Sequence, residues 1–185
     1  MSQTDDSRSQ RRHFLRTTTL AGLACLPAWA APARAAQAPR SLTMHHLHTR
    51  ESIDLVYANG SEHDPLAMTR FNRFLRDHYT GDVGSIDPTL LDLLHEVRLV
   101  LGNPNPFEIV SGYRSPATNQ QLRQTGAGGV ARKSLHMEGR AIDVRLPGTA
   151  LGDLREAALS QRAGGVGFYP KDGFVHLDTG RVRNW

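Results

Sequence analysis

The sequence predicts an α+β fold: a hairpin and two helices, followed by a strand-rich second half. Three observations point there. Short runs alternate apolar and polar side chains, as in Ile53, Leu55 and Tyr57. Two longer segments repeat apolar residues at helical spacing. Gly, Pro, Asn and Asp mark the breaks between them, and no internal repeat or low-complexity block interrupts the order.

The chain opens on a leader. Residues 1–16 are polar and end in Arg11-Arg12-His13-Phe14-Leu15-Arg16; an apolar stretch from Leu20 to Ala30 follows, then Ala33-Arg34-Ala35. A basic head, a short apolar centre and an A-x-A site are the parts of a secretory signal peptide, here residues 1–35. The paired arginines before Phe-Leu-Arg match the twin-arginine class, with Gln10 in place of the usual Ser or Thr. The apolar centre falls short of the roughly 20 residues that span a bilayer, and Pro27 interrupts it. No stable membrane span is therefore expected once the signal is removed.

Dividing the chain at Ala35 changes what its composition implies. The whole sequence has 22 Lys+Arg, 18 Asp+Glu and a pI near 9.7, which suggests a nucleic-acid partner. Five of those arginines (Arg8, Arg11, Arg12, Arg16, Arg34) and two aspartates (Asp5, Asp6) belong to the leader, leaving 17 basic and 16 acidic side chains. A near-neutral domain lacks the basic footprint of a nucleic-acid binder, and none is expected as a partner. The single cysteine, Cys25, also lies in the leader, which excludes a disulfide framework or a Cys-rich zinc site in the domain.

The elements follow in order. Residues 37–40 read as a linker; Ser41–His48 and Ser52–Tyr57 read as strands, forming with the Asn59-Gly60 turn an N-terminal strand arm over 36–65. Phe71, Phe74, Leu75 and His78 share one face of a helix expected over 66–79. Asp87 as cap and Pro88 in the first turn begin a second helix with Leu90, Leu94, Val97 and Leu101 on one face. Strands are expected at Phe107–Tyr113, Arg140–Leu146, Gly165–Tyr169 and Phe174–Asp178, helices at Pro116–Gln124 and Asp153–Arg162, and a glycine-rich loop at Gly126–Lys133. Residues 66–185 form the main domain.

The polar residues that chemistry uses concentrate in three segments: Ser111-Gly112-Tyr113-Arg114-Ser115, Ser134 to Val144, and Phe174 to Gly180. In the second, His136 precedes a turn at Gly139 and Asp143 sits between Ile142 and Val144 in a strand. A carboxylate in that setting requires a partner, because burying it unpaired is costly. In the third, alternation puts Phe174, His176 and Asp178 on one face. Two imidazoles and a carboxylate match the protein ligands of a catalytic zinc site. The histidines His45, His46 and His48 read as arm residues, and the stripe Arg70, Arg73, Arg76 reads as a solvated helix face.

The pattern S-x-H-x-x-G-x-A-x-D from Ser134 to Asp143, followed by His176-x-Asp178, resembles zinc peptidases of peptidoglycan stems. That group includes the D-alanyl-D-alanine carboxypeptidases, the lysostaphin-type enzymes and the hedgehog signalling domain. Ser-Gly-Tyr-Arg-Ser, Gly164 to Pro170 and Phe-Val-His-Leu-Asp-Thr-Gly are similar to its YcbK-like branch, a periplasmic murein endopeptidase family. The likeness runs from about Leu42 to Trp185. It implies a small antiparallel sheet core with helices on one side, of the hedgehog and D-Ala-D-Ala peptidase type. It implies one zinc per chain on His136, Asp143 and His176, with Arg114 supporting the oxyanion, and it implies peptidoglycan as the partner and the periplasm as location.

One role does not carry over. The acidic base that relatives place three residues before the last zinc-binding His corresponds here to Gly173. Asp178, which alternation aims at the metal side of its strand, is the first choice and Asp172 the second; Asp178 fits equally well a carboxylate that orients a ligand histidine. Glu138 reads as solvent-facing. The rival readings are a non-catalytic zinc-containing domain that binds murein or a protein, and a D,D-carboxypeptidase.

Overall fold

The computed structural model of the chain describes residues 38–125 and 130–185. The leader lies outside the described residues, as do residue 37 of the linker and residues 126–129 of the glycine-rich loop. No helix among the described residues is long and apolar enough to cross a membrane.

Residues from Ala36 to Trp185 form one compact unit. Its elements are β1 (Arg40–His46), β2 (Ser52–Asn59), β3 (Glu62–His63), α1 (Pro65–Phe74), α2 (Pro88–Leu101), β4 (Phe107–Ser111), α3 (Pro116–Gln124), a 3-10 turn (Leu135–Glu138), β5 (Ala141–Arg145), α4 (Leu151–Gln161), β6 (Gly165–Tyr169), β7 (Phe174–Asp178) and β8 (Arg183–Asn184). The class is α+β, as the element order predicts. The strands form one sheet in the order β3-β2-β1-β4-β5-β7-β6-β8.

The sheet is mixed rather than purely antiparallel: β1 pairs parallel with β4, and β6 with β8. The chain between β1 and β4 contains β2, β3, α1 and α2, which gives it the length a parallel crossover needs. The segment expected as an arm is thus built into the sheet, with β1 between β2 and β4.

One face of the sheet carries the core. Leu42 and Met44 of β1, Phe107 and Ile109 of β4, Val144 of β5 and Val175 and Leu177 of β7 are fully buried against helical residues such as Phe71, Leu90, Leu94 and Leu154. Each such side chain contributes roughly 1.5–3 kcal/mol of transfer free energy. The α2 boundary follows its sequence signals: the Asp87 carboxylate accepts from Thr89 N at 3.0 Å, Pro88 occupies the first turn and Gly102 closes the helix at φ 59°.

Helix α1 stops short of the expected residue 79. The Leu75 carbonyl accepts from Tyr113 N at 2.7 Å, and the Asp77 carboxylate accepts from Tyr79 N and Ser115 N, both at 2.8 Å. These bonds recruit residues 75–79 to the loop after β4, which outweighs the helical period. Burial works to raise the Asp77 carboxyl, but hydrogen bonds from Thr118, Ser115 and Tyr79 outweigh it and hold the pKa at about 2. His78 therefore sits in a turn, its ring stacked on His48 at 4.0 Å and edge-on to the buried His46 at 5.7 Å. Strands β3 and β8, two residues each, are too short to show any period.

Candidate metal centre and its cleft

The other face of the sheet carries the polar groups. In the antiparallel β5–β7 pair Asp143 lies directly opposite His176, while Ile142 opposes Leu177 and Val144 opposes Val175. The two-residue period fixes this: a one-residue slip would turn both polar groups into the core. Beside them, the β4–β5 pairing shifts between Ile109 and Ser111. Such an irregularity re-aims the following residues, and here Gly112 to Arg114 lead away from the strand toward His136.

His136 arrives on the 3-10 turn. Gly139 ends that turn at φ 65°, where a side chain would meet the Ser85 carbonyl, and its own carbonyl accepts from Asp87 N at 3.0 Å. Only glycine fits this conformation and this close approach. The His136 carbonyl accepts from Arg114 N at 3.1 Å, and its Nδ1 stands 2.7 Å from the Gly112 carbonyl oxygen. That oxygen can only accept, so Nδ1 carries the proton and Nε2 presents a lone pair.

Three atoms able to bind a metal converge. His176 Nδ1 lies 2.8 Å from Asp143 Oδ1, His136 Nε2 lies 3.4 Å from Asp143 Oδ2, and the two ring nitrogens are 3.2 Å apart. His136, Asp143 and His176 each offer one atom within 4.8 Å of the others. The remaining ring nitrogen of His176, Nε2, is 3.2 Å from Asp178 Oδ2. Each imidazole is thus anchored through one nitrogen and aims the other at a shared point beside a carboxylate. Facing lone pairs at this distance repel unless a proton or a cation lies between them. The donor set, with both outer nitrogens held, fits a metal of the zinc type.

The electrostatics agree with that chemistry. Burial works to raise the Asp143 carboxyl, but the adjoining imidazoles of His136 and His176 outweigh it and hold it well below the usual carboxylate range. Burial works to lower His176, and its bonds to Asp143 and Asp178 outweigh this and raise it. A ring placed between two carboxylates favours positive charge at its edge, whether proton or metal.

A family model described as peptidoglycan L,D-endopeptidase MepK matches residues 34–185. The chain belongs to that family. The Escherichia coli K12 peptidoglycan L,D-endopeptidase MepK is 42% identical over 182 residues, covering 98% of this chain and 100% of that one. A probable peptidoglycan L,D-endopeptidase MepK from Haemophilus influenzae is 36% identical over 148 residues, covering 80% and 79%. The solved structure of Serratia marcescens L-Ala D-Glu endopeptidase ChiX aligns with a TM-score of 0.35 and 18% identity, over 52% of this chain and 68% of that one.

For this member of the MepK family, the other sequence-predicted residues lie as follows. Arg114 lines the cleft of about 290 Å³ that opens over His136, Asp143 and His176, with Nη2 3.9 Å from Asp143 Oδ2. Asp172 also lines this cleft, exposed, and its carboxylate engages no partner among the described residues. Glu138 pairs with Arg140 at 3.3 Å and does not line the cleft.

Asp178 is fully buried on the far side of the His176 ring. Its Oδ1 accepts from Gly165 N at 3.0 Å and Gly180 N at 2.8 Å, and Arg183 grips both oxygens, at 3.1 and 2.7 Å. Burial would raise this carboxyl, yet the bonds from His176, Arg183 and the two amides hold it well below the usual range. Gly173 shapes the β6–β7 turn at φ 72°, its N–H donating to the Tyr169 carbonyl at 2.8 Å. An acidic side chain at 173 would strain that turn.

Sequence reasoning missed Arg183, Lys133 and Trp185. For Arg183 a signal existed: Asp178 follows a buried strand residue and needs a cation, just as Asp143 does. No periodicity marks Trp185 or Lys133: Lys133 lies in an irregular segment, and Trp185 extends a strand too short to show any period.

Proposed function

We propose that this chain is an exported zinc metallopeptidase that hydrolyses peptide bonds of peptidoglycan stems or crosslinks, a murein endopeptidase. The observation that carries this reading is the convergence of His136 Nε2, Asp143 and His176 Nδ1 under an open cleft. Membership of the MepK family sets the substrate class.

His136, Asp143 and His176 would hold the zinc, and when bound it supplies Lewis acidity and an activated water at neutral pH. The protein's residues do the rest. Arg114, fixed beside Asp143, binds the scissile carbonyl oxygen and offsets the negative charge that develops there. Asp172, free in the cleft, accepts the proton from the attacking water and passes it to the leaving amine. Asp178 is a positioning residue: its carboxylate is fully engaged, and it fixes the ring through which His176 presents Nδ1.

Purified chain incubated with crosslinked muropeptides is expected to cleave them, to stop when a chelator removes the metal, and to recover on stoichiometric zinc. One zinc per chain without chelator-sensitive cleavage would replace this reading with a non-catalytic murein-binding domain. Release of terminal D-Ala alone would make it a carboxypeptidase.

The twin-arginine leader directs the folded domain to the periplasm. Arg11→Lys together with Arg12→Lys is expected to retain the protein in the cytoplasm, measured by cell fractionation. Unimpaired periplasmic delivery of that double variant would exclude the twin-arginine route.

A further inference from the structure

The cleft wall on the β6–β8 side consists of aromatic residues that the zinc chemistry does not use. Trp185 continues β8: its N–H donates to the Val166 carbonyl at 3.2 Å, and its carbonyl accepts from Phe168 N at 3.0 Å. This lays the indole across the catalytic face of the sheet, its centroid 5.3 Å from the His176 ring. Position 167 makes room for it. Gly167 lies opposite His176 in the β6–β7 pair, and a Cβ there would stand 2.7 Å from the indole ring. Any larger residue would push the indole off the sheet.

The aromatic groups of this wall hold one another, and the indole N–H is already bonded. The indole Nε1 donates to Tyr169 Oη at 2.8 Å, Tyr169 stacks on Phe174 at 4.7 Å, and the Arg183 guanidinium that grips Asp178 lies 4.8 Å from the indole centroid. Trp185 nevertheless keeps 49% of its surface exposed. An indole whose N–H is already bonded offers a ligand only apolar area and π-face. It cannot read the hydroxyls of a sugar, but it can bury methylene and methyl groups. It lines the same cleft as His176 and Arg114, so what it contacts adjoins the scissile bond.

We propose that Trp185, supported by Tyr169 and Phe174, is a specificity-determining platform on which the aliphatic side chain of a stem-peptide residue next to the scissile bond packs. This inference rests on the peptidase reading above and assigns one wall of its cleft. Trp29 and Trp185 are the two tryptophans of the chain, so in a full-length Trp29→Phe background the emission of Trp185 reports this wall alone.

The test uses crosslinked stem-peptide dimers released from murein. Trp185→Ala is expected to raise KM about tenfold, with kcat within about threefold of the parent and zinc still one per chain. Trp185→Phe is expected to recover most of the affinity. In the Trp29→Phe chain, the same dimers are expected to shift the emission saturably, at concentrations near KM.

An unchanged KM in Trp185→Ala alongside normal cleavage by the parent would overturn the platform and leave the peptidase reading intact. A fall in zinc content would overturn it too, by giving Trp185 a purely structural role at His176. If the parent cleaves nothing, the peptidase reading fails, and the emission titration still decides: a saturable shift supports the platform, and no shift overturns it.

Discussion

His176→Ala is expected to lower cleavage of crosslinked stem peptides by at least about a thousandfold, and to abolish tight zinc binding. The size of the effect follows from the geometry. His176 is the ring that touches Asp143 and His136 through Nδ1 and Asp178 through Nε2. Removing it deletes one of the three proposed ligands and leaves two carboxylates without their shared partner. Zinc content after dialysis, measured by metal analysis, should fall below one per chain while the far-ultraviolet spectrum of the α+β domain is retained. Because the ring lies on the polar face of the sheet, the core formed by Val175 and Leu177 is untouched. A variant that kept full zinc occupancy would remove His176 from the ligand set.

The second large effect separates the two aspartates. Asp172→Asn is expected to lower kcat by about a hundredfold to ten-thousandfold, the usual contribution of a general base, with zinc affinity unchanged. Asp178→Asn is expected to do the reverse: zinc affinity drops by roughly ten- to a hundredfold, as for other partners of ligand histidines, and activity recovers at high zinc. The physical contrast is one of free lone pairs. Asp178 already accepts from two amides, from Arg183 and from His176, whereas Asp172 lies exposed in the cleft. Activity of Asp172→Asn equal to that of the parent would return the base role to another group. Zinc-reversible loss in Asp172→Asn would make it a positioning residue instead.

Much of this was readable from the sequence because it depends on local rules. The Asp87-Pro88 start of α2, the Pro116 start of α3 and the strands at 165–169 and 174–178 all fall where caps, prolines and alternation put them. The same alternation placed His176 and Asp178 on one face, and the spacing from His136 through Gly139 to Asp143 pointed to a turn entering a strand.

What the sequence did not disclose depends on partners far along the chain. The helix over 66–79 ends early because Leu75 and Asp77 bond to Tyr113 and Ser115, dozens of residues away. The parallel pairing of β1 with β4 is likewise a matter of topology, which two-residue periodicity does not encode. The contrast between a fully bonded Asp178 and an exposed Asp172 depends on Arg183, which reaches Asp178 only once β8 is packed beside β6.

The most direct test of the central claim is a zinc-edge anomalous diffraction measurement on crystals of the zinc-loaded chain. One anomalous peak is expected within bonding distance, about 2.0–2.2 Å, of His136 Nε2, Asp143 and His176 Nδ1, with His176 Nε2 still on Asp178. A peak at another group of residues, or ligation of His176 through Nε2, would contradict it.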